Sequence, residues 1–224
     1  MPQPMETRTP SPLRRAVTEA LAVVFPVCCA GCDLPDLDLC DPCSAALRPE
    51  PRSRRLEGGL DVRSALVFDG VPARVIRAFK EDGRTSLAAQ LGGALRGAWP
   101  PGTEAVPVPV PTTRSSMRRR GYSPVALACR RAGWHPCGLL RVTRSTADQR
   151  ALGRDERAAN LAGVMTVDRR AAARLAGRSV VLVDDVVTTG ATLSEAARAL
   201  FEAGVHVAGA VTIASTPRRS ASRG

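Results

Sequence analysis

The chain has 224 residues, of which 44% are apolar and 24% charged. At about 150 residues per domain this length allows a sizeable buried core, and the composition excludes a mostly disordered chain and a protein with many membrane spans. Its 32 basic and 21 acidic residues give a net charge of +11, which favours anionic partners such as phosphates, nucleotides or nucleic acid. Lys80 is the only lysine and Asn160 the only asparagine.

The N-terminal part divides into a tail and a short helix. Residues 1–12 contain four prolines and no periodicity, and they are predicted to be a disordered tail. The stretch Leu13–Val24 predicts a short helix. An export signal is the alternative, but Glu19 interrupts the apolar run, which is also too short to cross a bilayer. We therefore expect a cytoplasmic protein.

The next feature is a cluster of cysteines. Five of the seven lie close together, at Cys28, Cys29, Cys32, Cys40 and Cys43. The odd total and the paired CxxC spacing favour reduced, metal-binding thiols over a disulfide scaffold.

The pairs Cys29/Cys32 and Cys40/Cys43 predict a tetrahedral zinc site, with Cys28 as a spare that could replace Cys29. Zinc would supply the folding energy of so small a unit. A cluster without metal, a redox pair and an iron–sulfur centre are the alternatives. The remote Cys129 and Cys137 are predicted to be ordinary small hydrophobic residues.

Changes in composition divide the chain into successive segments. The predicted segments are a tail (1–12), the helix and zinc knuckle (13–47), a linker (48–61), an α/β domain (62–214) and a disordered basic tail (215–224). The predicted strands are Ser64–Phe68, Ala105–Val110, Val180–Val183 and Val205–Ile213. The predicted helices are Val71–Phe79, Leu87–Leu95, Pro124–Ala132 and Thr192–Ala203, with another near the centre of Gln149–Gly163 and a basic loop at Arg118–Gly121. Strand, helix and strand in the last third indicate a βαβ unit with parallel strands.

The most specific motif is Val180–Thr192, with the sequence VVLVDDVVTTGAT. A buried strand brings Asp184 and Asp185 to its carboxyl end, and a loop of hydroxyl residues and glycine then begins a helix. Ligands of open α/β sheets bind at this place, and backbone N–H groups at a helix start bind anions. Gly190 allows a phosphate to approach the backbone closely. Because carboxylates repel phosphate, the two aspartates suit sugar hydroxyls, a divalent cation or a cationic group.

This run resembles the signature loop of type I phosphoribosyltransferases along its whole length. The resemblance implies a parallel sheet flanked by helices and a site for phosphoribosyl pyrophosphate with Mg²⁺. It implies that Asp184 and Asp185 face the ribose hydroxyls. The residues implied to hold the ribose 5-phosphate, below called the phosphate loop, are Val187, Thr188, Thr189, Gly190, Ala191 and Thr192. The alternative is a plain strand–turn–helix with a threonine cap and two solvated acids. Relatives with this loop include binding proteins and regulators, so catalysis stays open.

Other segments occur around the phosphate loop in a fixed order. They are the four-cysteine knuckle, Arg77–Arg84, Val106–Pro109, Arg118–Tyr122, Gln149–Leu152 and Arg157–Asn160. This order resembles the ComF family of phosphoribosyltransferase-like proteins, linked to DNA uptake in naturally competent bacteria, over about residues 25–215. The resemblance implies that Lys80, Arg118 and Arg120 contact pyrophosphate or another anion. It also marks Gln149, Arg157 and Asn160 as positions typical of the family and as further candidate contacts to pyrophosphate, another anion or nucleic acid.

These residues also have alternative explanations that involve no ligand. The run Arg118–Arg120 is also what a solvated basic surface contains, and Arg157 and Asn160 could cap or pair within a helix.

The stretch Arg114–Gly121 lies where related transferases have a mobile loop over the substrate. After the basic arginine many ComF members have Gly-Phe-Asn-Gln, whereas this chain has Gly121–Pro124 (GYSP), so any ligand contact of that Asn-Gln pair is altered.

Three functions follow from these observations. The first is transfer of a phosphoribosyl group to an unknown acceptor with loss of pyrophosphate. The second is a non-catalytic competence factor that binds single-stranded DNA and DNA-uptake proteins, whose phosphoribosyl site senses a ligand or is vestigial. The basic charge supports it, although few aromatics are available for base stacking and only Tyr122 and Trp134 adjoin the basic run. The third is a ligand-responsive regulator, but the sequence shows no helix-turn-helix pattern.

His206 is predicted to be structural.

Overall fold

The computed structural model describes residues 27–143, 163–175 and 177–217. Its strands are β1 (Arg52–Arg55), β2 (Asp61–Val67), β3 (Val106–Pro109), β4 (Leu140–Val142), β5 (Met165–Val167), β6 (Val180–Val187) and β7 (Val207–Ser215). Its α-helices are α1 (Asp41–Ala45), α2 (Gly70–Glu81), α3 (Ala88–Ala98), α4 (Arg114–Arg120), α5 (Pro124–Arg131), α6 (Arg169–Ala173) and α7 (Ala191–Glu202). The predicted tail 1–12, the helix Leu13–Val24 and nearly all of Gln149–Gly163 lie outside the described residues.

The central sheet has five strands in the order β1-β2-β7-β6-β3. Strands β2, β7, β6 and β3 are mutually parallel, and β1 runs antiparallel to β2 at one edge. Parallel strands place their carboxyl ends at one edge of the sheet, which is where ligands of such folds bind. The predicted mixed α/β class, with a mostly parallel sheet flanked by helices, is confirmed.

Strand β6 lies between two hydrophobic cores. Its residues Val181 and Val183 pack in a core with side chains of α2 and α3, such as Phe79 and Leu91. Its alternate residues, including Leu182, face a second core that contains residues of α7. Successive side chains of a strand point to opposite faces, so a strand covered on both sides needs apolar residues throughout. This explains the unbroken aliphatic run with which β6 begins.

The four predicted strands and four of the predicted helices are found, with their ends shifted by a few residues. Helix α7 ends where Gly204 adopts a left-handed φ of 73°, as expected for a helix C-terminus. Strands β4 and β5 form a separate antiparallel pair that the sequence did not predict.

The prediction of a basic loop at Arg118–Gly121 is wrong, because the three arginines form the last turn of helix α4. The Thr113 side chain caps this helix by accepting a hydrogen bond from the Ser116 N–H at 3.3 Å, and Gly121 ends it in a left-handed conformation with φ 76°. A threonine cap, four arginines with good helix propensity and a terminal glycine favour a helix. The strongly basic run at Arg118–Arg120 suggests an exposed loop, although the residues on either side of it favour a helix.

The segment 48–61, predicted as a linker, contains strand β1. A turn with Gly58 and Gly59 at φ 90° and 86° connects β1 to β2. An edge strand with largely exposed side chains shows no apolar alternation, so no periodic pattern predicts β1.

No helix within residues 27–143, 163–175 and 177–217 combines the length and apolarity that a membrane crossing requires.

Candidate functional site

The phosphate loop connects the carboxyl end of β6 to the first turn of α7. Residues 188–190 form the turn, and Gly190 precedes the helix with a left-handed φ of 92°. The Thr189 hydroxyl accepts a hydrogen bond from the Ala191 N–H at 3.3 Å. Backbone N–H groups and the positive end of a 12-residue helix thus meet at the ligand-binding edge of the sheet. Such an arrangement can hold a phosphate group.

Gly190 is required here for two reasons. An L side chain at φ 92° is strained. A Cβ atom at this position would also lie 2.5 Å from Leu56 Cδ1, in the hairpin between β1 and β2. The hairpin therefore packs directly on the phosphate loop, and Gly190 is buried beneath it.

The two adjacent aspartates lie near the end of β6, where their side chains point to opposite faces of the sheet. Burial, followed by the charge of Asp185, raises the pKa of Asp184 to about 8. A raised pKa makes the protonated form of Asp184 more accessible, and a protonated carboxyl can donate as well as accept a hydrogen bond. Sugar hydroxyls, which also do both, suit such a group.

Lys80 comes to the site from the end of α2. Its Nζ atom lies 2.6 Å from Asp185 Oδ2, so the predicted anion-binding lysine pairs with one of the predicted ribose-binding aspartates. Next to it, the Tyr122 hydroxyl donates a hydrogen bond to the Phe79 carbonyl, and the two rings lie 6.0 Å apart. The segment that follows α4 is thereby attached to the helix that carries Lys80.

The other predicted anion contacts are only partly described. Arg118 is exposed on the last turn of α4. Arg120 is half-buried, and its Nε has no hydrogen-bond partner among the described residues. Gln149, Arg157 and Asn160 lie outside the described residues.

Sequence reasoning missed Arg54, which stands in the predicted linker. Its Nη2 atom donates a hydrogen bond to the Thr188 carbonyl at 2.8 Å, which places a guanidinium group at the phosphate loop. One arginine within an arginine-rich segment carries no distinguishing signal, and only the pairing of β1 with β2 brings it here.

The four cysteines predicted to bind zinc come together in the folded chain. The sulfurs of Cys29, Cys32, Cys40 and Cys43 all lie within 4.8 Å of one another, and the Sγ atom of Cys40 is 3.6 Å from those of Cys29 and Cys32. Zinc–sulfur bonds of about 2.3 Å in a tetrahedron separate the sulfurs by about 3.8 Å. The cluster, below called the cysteine knuckle (residues 28–43), could hold a zinc ion.

Backbone geometry in the cysteine knuckle favours a thiolate. The N–H groups of Gly31 and Cys40 each lie 3.4 Å from Cys29 Sγ. Burial alone would raise the pKa of Cys29, but these hydrogen bonds outweigh it and lower the pKa to about 6. A thiolate is the form that binds metal. By contrast Cys129 is fully buried, and burial raises its pKa to about 12, which fits the prediction of a hydrophobic role.

Salt bridges and packing attach the cysteine knuckle to α2. Asp33 pairs with Arg74 on that helix, and Asp38 pairs with Arg84 just beyond its end. A Cβ atom on Gly31 would meet both Cys43 and Val71 at less than 3 Å. The helix that carries Lys80 therefore rests on the cysteine knuckle.

Comparison with known proteins gives a family match in the C-terminal part of the chain and a short match with a curated protein. Residues 139–223 match a protein-family model described as "Phosphoribosyl transferase domain". The matched segment includes β6, the phosphate loop and α7. The adenine phosphoribosyltransferase of Mycolicibacterium gilvum (strain PYR-GCK) is 56% identical over 39 residues, which cover 17% of this chain and 22% of that protein. The match thus spans about a fifth of that curated relative. Both similarities are to phosphoribosyltransferases.

Proposed function

We propose that the chain binds phosphoribosyl pyrophosphate with Mg²⁺ through the phosphate loop and is a phosphoribosyltransferase-like protein of the ComF family. The observation that carries this proposal is the phosphate loop at the start of α7, with Asp184 and Asp185 directly before it on β6. The loop N–H groups would hold the 5-phosphate, and the aspartates would meet the ribose hydroxyls. Carboxylate oxygens are also ligands that Mg²⁺ prefers.

The proposed reaction is displacement at the anomeric carbon. An acceptor atom forms a bond to that carbon while the carbon–oxygen bond to pyrophosphate breaks, and the bonding electron pair leaves with pyrophosphate. Mg²⁺ supplies neutralisation of the leaving group when bound. The chain's own part is to position the sugar and to offer cations, for which Lys80, Arg118 and Arg120 are the candidates. The order of motifs shared with the ComF family supports a link to DNA uptake.

The experiment that tests this function is calorimetric titration of phosphoribosyl pyrophosphate with Mg²⁺. The double variant Asp184→Ala, Asp185→Ala removes the proposed hydroxyl contacts, and Glu104→Ala, at an exposed acid just before β3, is the matched control. We expect wild type and control to bind equally and the double variant to lose at least tenfold in affinity, about 1.4 kcal/mol. Folded wild type that binds no phosphoribosyl pyrophosphate would refute the proposal.

Single-stranded DNA binding is a second candidate, favoured by the surface of α4. This helix buries no residue and carries Arg118, Arg119 and Arg120 in its last turn. The nearby aromatics are less suited to base stacking, because Tyr122 is half-buried against Phe79 and the ring of Trp134 packs at a tilt against that of Trp99, with the ring centroids 4.4 Å apart. Salt-dependent binding of single-stranded DNA without binding of phosphoribosyl pyrophosphate would favour this candidate over the first.

A further inference from the structure

The hairpin between β1 and β2 lies against the phosphate loop through two separate contacts. Arg54 donates from Nη2 to the Thr188 carbonyl at 2.8 Å. Leu56 covers Gly190 so closely that a Cβ atom there would lie 2.5 Å from its Cδ1. The hairpin therefore contacts the phosphate loop through one charged residue, Arg54, and one apolar residue, Leu56.

The turn of this hairpin is held by polar contacts of its own. Leu56 N–H donates to the Leu60 carbonyl at 2.9 Å, and Arg55 Nε donates to the Gly59 carbonyl at 3.1 Å. Arg55 also pairs with Asp61 at 3.4 Å. Adjacent strand residues point to opposite faces, so Arg54 faces the phosphate loop while Arg55 interacts within the hairpin. Arg54 is thus presented by a regular strand rather than by an unsupported loop.

The charges of the site show why a cation at this place matters. A phosphate monoester carries a charge of about −1.5 to −2 at neutral pH, whereas the phosphate loop offers only backbone dipoles and hydroxyls. Asp185 engages the ammonium group of Lys80 at 2.6 Å. The guanidinium of Arg54 lies at the phosphate loop itself, and its five N–H donors allow it to bind a carbonyl and a phosphate oxygen together.

We propose that Arg54 is a phosphate-binding residue of this site, and that its guanidinium binds the same sugar phosphate as the phosphate loop. The proposal rests on the proposed function and adds to it a ligand contact from the edge strand. It predicts a requirement for a phosphate monoester at the sugar 5-position. Pyrophosphate binding, which the sequence resemblance assigns to other cations, should not depend on Arg54.

The test compares Arg54→Gln, Arg54→Lys and the control Arg52→Gln, which removes the same charge at an exposed position of the same strand. Ribose 5-phosphate, phosphoribosyl pyrophosphate with Mg²⁺, and pyrophosphate with Mg²⁺ are titrated into each protein by calorimetry. Because a hydrogen bond to a charged group contributes roughly 1.5–3 kcal/mol, we expect Arg54→Gln to lose at least about tenfold in affinity for both sugar phosphates. Arg54→Lys should lose less, since it keeps the charge.

The controls separate the two proposals. Arg52→Gln should change each affinity less than twofold, and all three variants should leave pyrophosphate binding unchanged. Equal losses in Arg54→Gln and Arg52→Gln, or an unchanged affinity in Arg54→Gln, would overturn the role of Arg54 and leave the proposed function standing. Wild type that binds neither sugar phosphate would overturn both. Thermal unfolding of each variant shows that it is folded, and Arg54→Lys keeps the test decisive if Arg54→Gln is unstable.

Discussion

At the scale of single residues, the phosphate loop depends on the absence of a side chain. Gly190 has a left-handed φ, and Leu56 occupies the space where its Cβ would be. Gly204, at the other end of α7, has a φ of 73° and nothing within 4 Å of a Cβ. The two glycines therefore share the backbone requirement, but only Gly190 has a packing requirement as well.

Replacement by alanine should separate these requirements. Gly204→Ala is expected to cost about 1–2 kcal/mol of unfolding free energy through backbone strain, and Gly190→Ala is expected to cost more because Leu56 must move. The double variant Leu56→Ala, Gly190→Ala should be less destabilised than the sum of its single variants. Denaturant unfolding measures all four. Equal costs at the two glycines would contradict the close contact with Leu56.

At the scale of elements, the cysteine knuckle supports α2. It has one short helix, α1, and its own buried cluster consists of Cys29, Cys40 and Cys43. So little apolar area cannot offset the entropy of folding. A metal ion would provide the missing stabilisation. Because Asp38 of the knuckle pairs with Arg84, just beyond the end of α2, an ordered knuckle would also hold the end of that helix in place.

Metal removal should therefore destabilise the protein. Protein purified without chelator is expected to contain one zinc ion per chain by elemental analysis. Treatment with a strong chelator, or the substitution Cys40→Ser, should lower the midpoint of thermal unfolding by at least about 5 °C, as a loss of about 2 kcal/mol does for a chain of this size. Cys137→Ser, outside the cluster, is the control and should keep its zinc. Purified protein that contains no metal, together with a midpoint of thermal unfolding that the chelator does not change, would contradict the zinc site.

At the scale of the whole molecule, a buried carboxylate of α7 joins this helix to strand β5 of the β4–β5 pair. Glu195 is 5% exposed and accepts hydrogen bonds from Met165 N–H at 2.9 Å and Arg198 Nε at 2.7 Å. Burial would raise the pKa of Glu195, but the bonds from Arg198 and Met165 outweigh it and lower the pKa below its ordinary value of 4.5. This carboxylate connects the helix of the phosphate loop to a strand outside the central sheet.

The sign of this pKa shift predicts a loss of stability in acid. A lowered folded-state pKa gives a stabilisation that is complete above the unfolded value of 4.5 and is lost as pH falls through the folded value. Glu195→Gln should unfold more easily than wild type at pH 7, by about 1–3 kcal/mol, and this difference should shrink below pH 4.5. Glu202→Gln, which removes the exposed partner of Arg198, should change stability little. A difference that is independent of pH would contradict the role of the charge.

The sequence by itself determined the central part of the fold and the candidate site. Strands and helices buried on one or both faces carry periodic apolar residues, so β6, α7 and α2 were predictable, and so was the position of Asp184 and Asp185 at a ligand-binding edge. The cysteine spacing was equally informative, because metal ligation restricts both residue type and spacing.

Only the tertiary structure decided which side chains meet across long separations in the chain. Arg54 and Thr188 are 134 positions apart, and the strand that carries Arg54 lies at an edge with no apolar pattern to reveal it. The pairing of Lys80 with Asp185 likewise depends on how α2 packs against β6. Local patterns reflect burial and backbone conformation, whereas contacts between charged groups depend on strand order and helix packing, which no local pattern encodes.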